Sequence, residues 1–126
     1  CQLFMADMKV RIDDRNDSYF YYPDLLLSCD PEDRESAYYR RKPCLLVEIV
    51  SSSTFRIDRR EKLFAYRTLP SLREYVLVHQ DEPQIEVFRY PEGAHDIYTT
   101  GTFRLECLDM ALSVEDVYAD VAGAVG

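Results

Sequence analysis

PCLLVEIVSSSTFRIDRREKLFAYRTLPSLREYVLVH, Pro43 to His79, is the stretch on which the fold turns. Its opening run, Cys44 to Val50, is apolar on both faces, as expected of a central strand covered on each side, and Glu48 is the one exception. Serine-rich SSST (Ser51 to Thr54) leads into a helical pattern, about Ile57 to Leu69, that Pro70 ends. Within it Asp58, Lys62 and Tyr66 recur every four positions and so share one face. YVLVH (Tyr75 to His79) and QIEVFRY (Gln84 to Tyr90) then read as two strands of a hairpin across DEP.

Working outward, a first strand is expected from about Leu3 to Ile12, with Met8, Val10 and Ile12 on one face and Lys9 and Arg11 on the other. The polar cluster DDRNDS (Asp13 to Ser18) makes a turn. A second strand, about Tyr19 to Ser28, carries Asp24, and the charged stretch DPEDRESAYYRRK (Asp30 to Lys42) reads as a loop or solvent-exposed insertion. Beyond the hairpin lie a PEG turn, short strands at IYTT and FRLEC, and a last helix, about Val114 to Val121. That helix begins with a capping-box-like Ser113 and Asp116 and turns Val114, Val117 and Val121 inward. The expectation is an α/β (α+β) fold, a mixed β-sheet flanked by helices. With no repeat, linker or low-complexity tract, residues 1–126 are read as one domain, which at this length buries roughly two-thirds of its unfolded surface.

Composition removes several classes. Ten Tyr and six Phe are too many for a disordered chain, and the apolar runs fall well short of the ~18 residues that cross a bilayer, so no membrane partner is expected. No secretory pattern opens the chain. It begins at Cys1, and CQLFMADMKV already reads as a strand entering a core, which suggests a start inside a longer protein. Cys1, Cys29, Cys44 and Cys107 form no CxxC pair; Cys29 and Cys44 are read as buried thiols of a reducing, cytoplasmic compartment. His79 and His95 have no partner at ligand spacing, and neither GxSxG, HExxH nor a Gly-rich loop occurs. A net charge of −8 opposes nonspecific nucleic-acid binding, yet Arg34, Arg40, Arg41 and Lys42 crowd one loop, and Arg56, Arg59, Arg60, Lys62 and Arg67 lie on or near the helix. Those arginines are also what the solvated face of an ordinary helix would carry.

Asp24 in PDLLLS and Glu48 in LLVEIV are carboxylates set into apolar runs. An ionised carboxylate there costs several kcal/mol unless paired, hydrogen-bonded or metal-bound. Neighbouring strands can bring the two within a few ångströms, and two carboxylates with waters and a substrate phosphate suit Mg²⁺. Lys62 would add a cation near the attacking water, oriented by Asp58 or Tyr66. Each has a plainer reading: Asp24 as a turn residue, Asp58 and Lys62 as a surface pair, Tyr66 as a core edge. Deleting either buried charge would, on this reading, leave the strands folded or slightly stabilised.

The segments DMKVRI, YYPDLLLSCD, PCLLVEIVSSST, RIDRREKLFAYRTLPSLREYVLV and LSVEDVYADV together resemble the Uma-two family of restriction endonucleases in the PD-(D/E)XK nuclease superfamily. The resemblance covers nearly the whole chain and implies the restriction endonuclease-like fold. It implies a Mg²⁺-dependent endonuclease hydrolysing phosphodiester bonds of DNA, with Mn²⁺ able to substitute. By it, Asp24 and Glu48 are the metal ligands and catalytic acids, Lys62 is the catalytic lysine, and Asp7 is a further ligand or support. The superfamily's usual lysine would fall at Val50, and its function is expected on the helix instead, at Lys62. Ser52 stands where relatives commonly have proline. Family members usually begin with a helical segment ahead of the DMKVRI strand, which this chain lacks. Cutting two strands also favours a homodimer, for which YFYY (Tyr19 to Tyr22) and AYY (Ala37 to Tyr39) offer surface. The alternative is a noncatalytic structural or protein-binding member of the same fold.

Overall fold

The computed structural model describes the backbone of residues 1–51 and 55–125 and the side chains of residues 1–51 and 59–119. The elements in chain order are β1 (Gln2–Met5), β2 (Lys9–Asp14), β3 (Asp17–Tyr21), β4 (Leu25–Ser28), β5 (Tyr39–Arg40), β6 (Leu45–Val50), α1 (Phe55–Tyr66), β7 (Glu74–His79), β8 (Ile85–Arg89), β9 (Ala94–Tyr98), β10 (Thr102–Leu105), β11 (Met110–Ser113) and α2 (Val114–Val125). The main sheet runs β1-β4-β6-β7-β8-β9, and its one parallel pair, β6 and β7, is joined through α1. Antiparallel pairing elsewhere makes it the mixed sheet expected.

Strand alternation decides which side each residue serves. Leu26, Leu46, Tyr75 and Leu77 face a core shared with Tyr66 and Leu69, with Met8 just ahead of β2, and with Val10 and Ile12 of the small β3-β2-β5 sheet. Leu27, Leu45, Val47, Val76, Ile85 and Val87 face the other way, onto Phe103 and Leu105 of the β10-β11 pair and Val114 of α2. Both faces are therefore covered, which is why β6 is apolar throughout and why Glu48 is buried. The Ser113 hydroxyl accepts the Asp116 N–H at 3.0 Å, capping α2 as expected. Val114 and Val117 face the core; the Val121 side chain lies outside the described residues.

Three expectations need correction. The Leu3 to Ile12 strand is two: at Ala6, with φ of 58°, the chain turns left-handed and passes from the main sheet into the small one. The Tyr19 to Ser28 strand is likewise two, broken where Pro23 has no N–H for a ladder. The Asp30 to Lys42 stretch is largely the exposed loop expected, anchored at a few points. Buried Asp33 accepts the Ser28 hydroxyl at 2.7 Å and the backbone N–H groups of Arg41 and Lys42 at 2.7 and 2.9 Å, and Tyr39–Arg40 adds a strand. The cysteines, finally, are not thiols but the disulfides Cys1–Cys29 and Cys44–Cys107. β1 and β4 pair Gln2 with Ser28, so one step further along the ladder Cys1 meets Cys29. Cys44 precedes β6 while Cys107 follows β10, a proximity made only by packing the β10-β11 pair on the sheet.

Two of the loop cations are neutralised locally. Arg41 pairs with Asp13 and Glu35, and Lys42 approaches Asp30 and Glu32 at 3.7 and 3.5 Å. Arg40 is buried with its guanidinium over the Phe4 ring. Hydrogen bonds from Ser18, Arg41 and Arg11 hold the Asp13 carboxyl down at about 2.

Candidate active site

Register sets Asp24 opposite Glu48. β4 pairs antiparallel with β6, Leu25 opposite Val47, and one residue further the ladder sets Asp24 opposite Glu48. Asp24, following Pro23, sits in the bend just before β4, and its Oδ2 accepts the Ile49 backbone N–H at 2.7 Å. Among the described residues its Oδ1 takes no hydrogen bond. The two acids singled out in sequence thus fall at facing positions of adjacent chain segments.

Glu48 is clamped by three donors from two elements. Lys62 Nζ donates to Oε1 at 2.7 Å and the Tyr66 hydroxyl approaches the same oxygen at 3.4 Å, both from α1. The Tyr75 hydroxyl, from β7, donates to Oε2. The Glu48 side chain is 5% exposed and that of Lys62 18%, so the pair lies at the edge of the core with a way out to solvent along the lysine. The Tyr66 and Tyr75 rings pack edge to face at 4.9 Å, fixing both phenols. Burial alone would disfavour the charged carboxylate, and an ammonium with two hydroxyls supplies the compensation that such burial needs.

A second buried carboxylate sits beside this one and was not singled out from sequence. β7 lies between β6 and β8, and the ladder runs Glu48, Leu77, Glu86, so the two glutamates share a face about 10 Å apart, two strand spacings. His79 Nε2 lies 2.7 Å from Glu86 Oε2, while His95 Nε2 and Arg59 Nη2 lie 2.9 and 3.0 Å from Oε1. The histidines, which have no partner at ligand spacing in the sequence, thus converge on one carboxylate. Their sequence spacing gave no sign because hairpin registers, not a helix turn, bring them together. A signal did exist: Glu86 in QIEVFRY breaks an apolar run just as Glu48 does. Tyr75 carried no such mark, since a tyrosine in EYVLV reads as strand core. On α1, Lys62 and Arg59 are one turn apart, so a single helix supplies a cation to each buried acid.

The family profile Uma2, described as "Putative restriction endonuclease", matches residues 1–120. The chain belongs to the Uma2 family. It is 28% identical over 126 residues to the uncharacterized protein slr1290 of Synechocystis sp., covering 97% of this chain and 65% of that protein. To sll1609 of the same organism it is 31% identical over 80 residues, covering 63% of this chain and 45% of that one. The chain thus spans just under two-thirds of the first relative and under half of the second. A crystal structure from Anabaena variabilis, described as a "putative nuclease belonging to DUF820", superposes with a TM-score of 0.70 at 15% identity, covering 94% of this chain and 68% of that one. At that identity the likeness shows the fold, an α+β arrangement shared with a nuclease-like protein.

In this Uma2 chain the remaining expected residues fall as follows. Val50 ends β6 and packs against the core, so no lysine reaches the carboxylates from that strand; Lys62 reaches Glu48 from α1. Asp7 is exposed on the turn between β1 and β2, beside the Asp24 backbone, whose carbonyl accepts the Ala6 N–H at 2.8 Å. The Asp58 side chain and Ser52 lie outside the described residues. Among the described residues no group of three or more His, Cys, Asp or Glu side chains is placed to hold a metal. A hard ion that keeps most of its waters needs only one or two carboxylates, and the facing Asp24 and Glu48 fit that requirement. No helix among the described residues is long and apolar enough to cross a membrane.

Proposed function

We propose that this Uma2 chain is the catalytic part of a Mg²⁺-dependent endonuclease that hydrolyses phosphodiester bonds of DNA, with Mn²⁺ able to substitute. The observation that carries the proposal is the convergence of Asp24, Glu48 and Lys62: the β4-β6 register sets the two acids opposite each other and α1 delivers an ammonium to the second. Asp24 Oδ1 and Glu48 would hold the ion. When bound, it would polarise the phosphorus centre and lower the pKa of a coordinated water. Lys62, held at Glu48, places positive charge where the phosphorane charge grows. The phenols of Tyr66 and Tyr75 keep the Glu48 carboxylate in one orientation, so the acid is preorganised before substrate arrives. Family membership and the nuclease-like fold support this reading.

The test is cleavage of supercoiled and linear DNA by the full-length protein with Mg²⁺, Mn²⁺ or EDTA in parallel, beside calorimetry with Mn²⁺. Parent protein should nick DNA and bind the ion, and Asp24→Ala and Glu48→Ala should each lose both. Ion binding by both variants at parental affinity would move the site elsewhere. A second reading, a noncatalytic structural or protein-binding member of the fold, draws on a specific feature: with three donors on Glu48, the carboxylate is already satisfied without an ion. Failure of the parent to bind Mn²⁺ would favour it.

The proposed enzyme works as a homodimer. Tyr19 and Phe20 are exposed on β3, an edge strand of the small sheet, with exposed Tyr22 and Tyr38 nearby. An edge strand with exposed aromatics is a template for pairing with another copy. Light scattering at tens of micromolar should give twice the monomer mass, and Phe20→Lys should return the monomer; a monomeric parent would end this part of the proposal.

A further inference from the structure

A broad groove lies along the side of α1 facing away from the small sheet. Arg59, Arg60, Phe64 and Arg67 of α1 and its C-terminal end line one wall, Phe88 and Tyr90 the other, around about 770 Å³ of space. Among the described residues no acidic side chain lines it, in a chain whose net charge is −8. Arg41 and Lys42 of the Asp30 to Lys42 loop are matched by local carboxylates, whereas among the described residues neither Arg60 nor Arg67 has an ion-pair partner. Both are exposed, and a cation left without a protein carboxylate in so acidic a chain is available to an outside anion.

Phe64 gives the groove a second chemistry. Its ring is 57% exposed, lies between Arg60 and Arg67 on the helix surface, and carries the Arg67 guanidinium at 4.6 Å from its centroid. It is also the ridge between two opposite fields. On its other side a smaller hollow of about 320 Å³ is lined by Asp13, Asp14 and Glu61. A polyanion is repelled from that hollow and drawn to the arginine side, so the fields assign one track. Arg59 ties this track to the buried acids, since its guanidinium is held on Glu86 and over the Phe88 ring at 5.5 Å, one helix turn from Lys62.

We infer that this groove binds a single-stranded segment of DNA, its phosphates on Arg60 and Arg67 and an unstacked base on Phe64. The inference rests on the nuclease reading of the neighbouring carboxylates and adds a binding surface to it. Duplex DNA needs the arginines but has no free base face to offer a ring; an exposed aromatic between unpaired arginines is how sequence-tolerant single-strand sites are built. The strand held here would feed the scissile phosphate toward Glu48 along α1.

The experiment is fluorescence anisotropy of the full-length protein in EDTA with a short labelled oligothymidylate, its duplex with oligodeoxyadenylate, and polyglutamate as a competitor. The parent should bind the single strand more tightly than the duplex. Phe64→Ala should weaken single-strand binding ~5-fold or more with little effect on the duplex. Arg60→Ala and Arg67→Ala should each reduce the slope of log affinity against log salt by ~0.7. All three positions are exposed, so circular dichroism should match the parent. Equal binding of duplex and single strand, an unaffected Phe64→Ala, or displacement by polyglutamate at equal charge overturns the inference. Because no cleavage is needed, a parent that cuts DNA with Mg²⁺ yet ignores the single strand sinks the groove alone. One that holds the strand but never cuts sinks the nuclease reading alone.

Discussion

Lys62→Ala should leave divalent-ion affinity nearly intact and slow DNA cleavage ~100-fold or more, the scale of losing a preorganised charge at a transition state. The geometry argues for this separation of effects. Lys62 touches Glu48 Oε1 but supplies no oxygen to an ion, and Asp24 is engaged with the Ile49 N–H. Two phenols remain on Glu48 after the substitution, so the carboxylate keeps its place. Lys62→Arg should rescue only in part, because the guanidinium is broad and does not give up a proton. Single-turnover cleavage with Mg²⁺, set beside Mn²⁺ calorimetry on the same variants, reads both quantities. Cleavage by Lys62→Ala at the parental rate would make the lysine a structural partner of Glu48 and nothing more, even in an active nuclease.

The sheet was legible in sequence where burial is two-sided. LLVEIV and EYVLV read as covered strands, and the interruption of one of them by Glu48 marked the carboxylate that Lys62 and two phenols hold. Where the chain changes sheets the signal failed: Val10 and Ile12 alternate as well in the small sheet as they would in the large one, so only the backbone reversal at Ala6 separates β1 from β2. Long-range register was invisible for the same reason. It places Asp24 against Glu48, which strand adjacency could suggest, but also Cys1 against Cys29 and two histidines on Glu86, which no local spacing encodes. Lys62 was reachable because a helix repeats every few residues; Tyr75, its counterpart on β7, was not, because a strand tyrosine looks the same whether its hydroxyl meets water or a carboxylate.

Glu48→Ala carries the largest expected loss, and its sign in stability is opposite to the one that sequence suggests. Read as an isolated buried charge, Glu48 should be dispensable or even harmful to folding. The structure shows instead a carboxylate that satisfies the Lys62 ammonium and the Tyr66 and Tyr75 hydroxyls at once. Removing it strands those donors at the core edge, and deleting one partner of a buried pair costs about 3–5 kcal/mol. The partial exposure of Lys62 lets its ammonium turn toward water, which puts the loss near the lower end. Cleavage and ion binding should vanish together, since the ligand is gone. Glu48→Gln keeps the volume and one carbonyl acceptor, so it should lose activity as completely while losing less stability. Urea unfolding of both variants, with the m-value unchanged, measures this directly. The double variant Glu48→Ala/Lys62→Ala closes the cycle: it should be less destabilised than the two single effects added, because the donor that Glu48→Ala strands is no longer there. A Glu48→Ala protein as stable as the parent would show that Lys62 and the phenols find other partners without cost, and the carboxylate would then have to be held in the core for its chemistry alone.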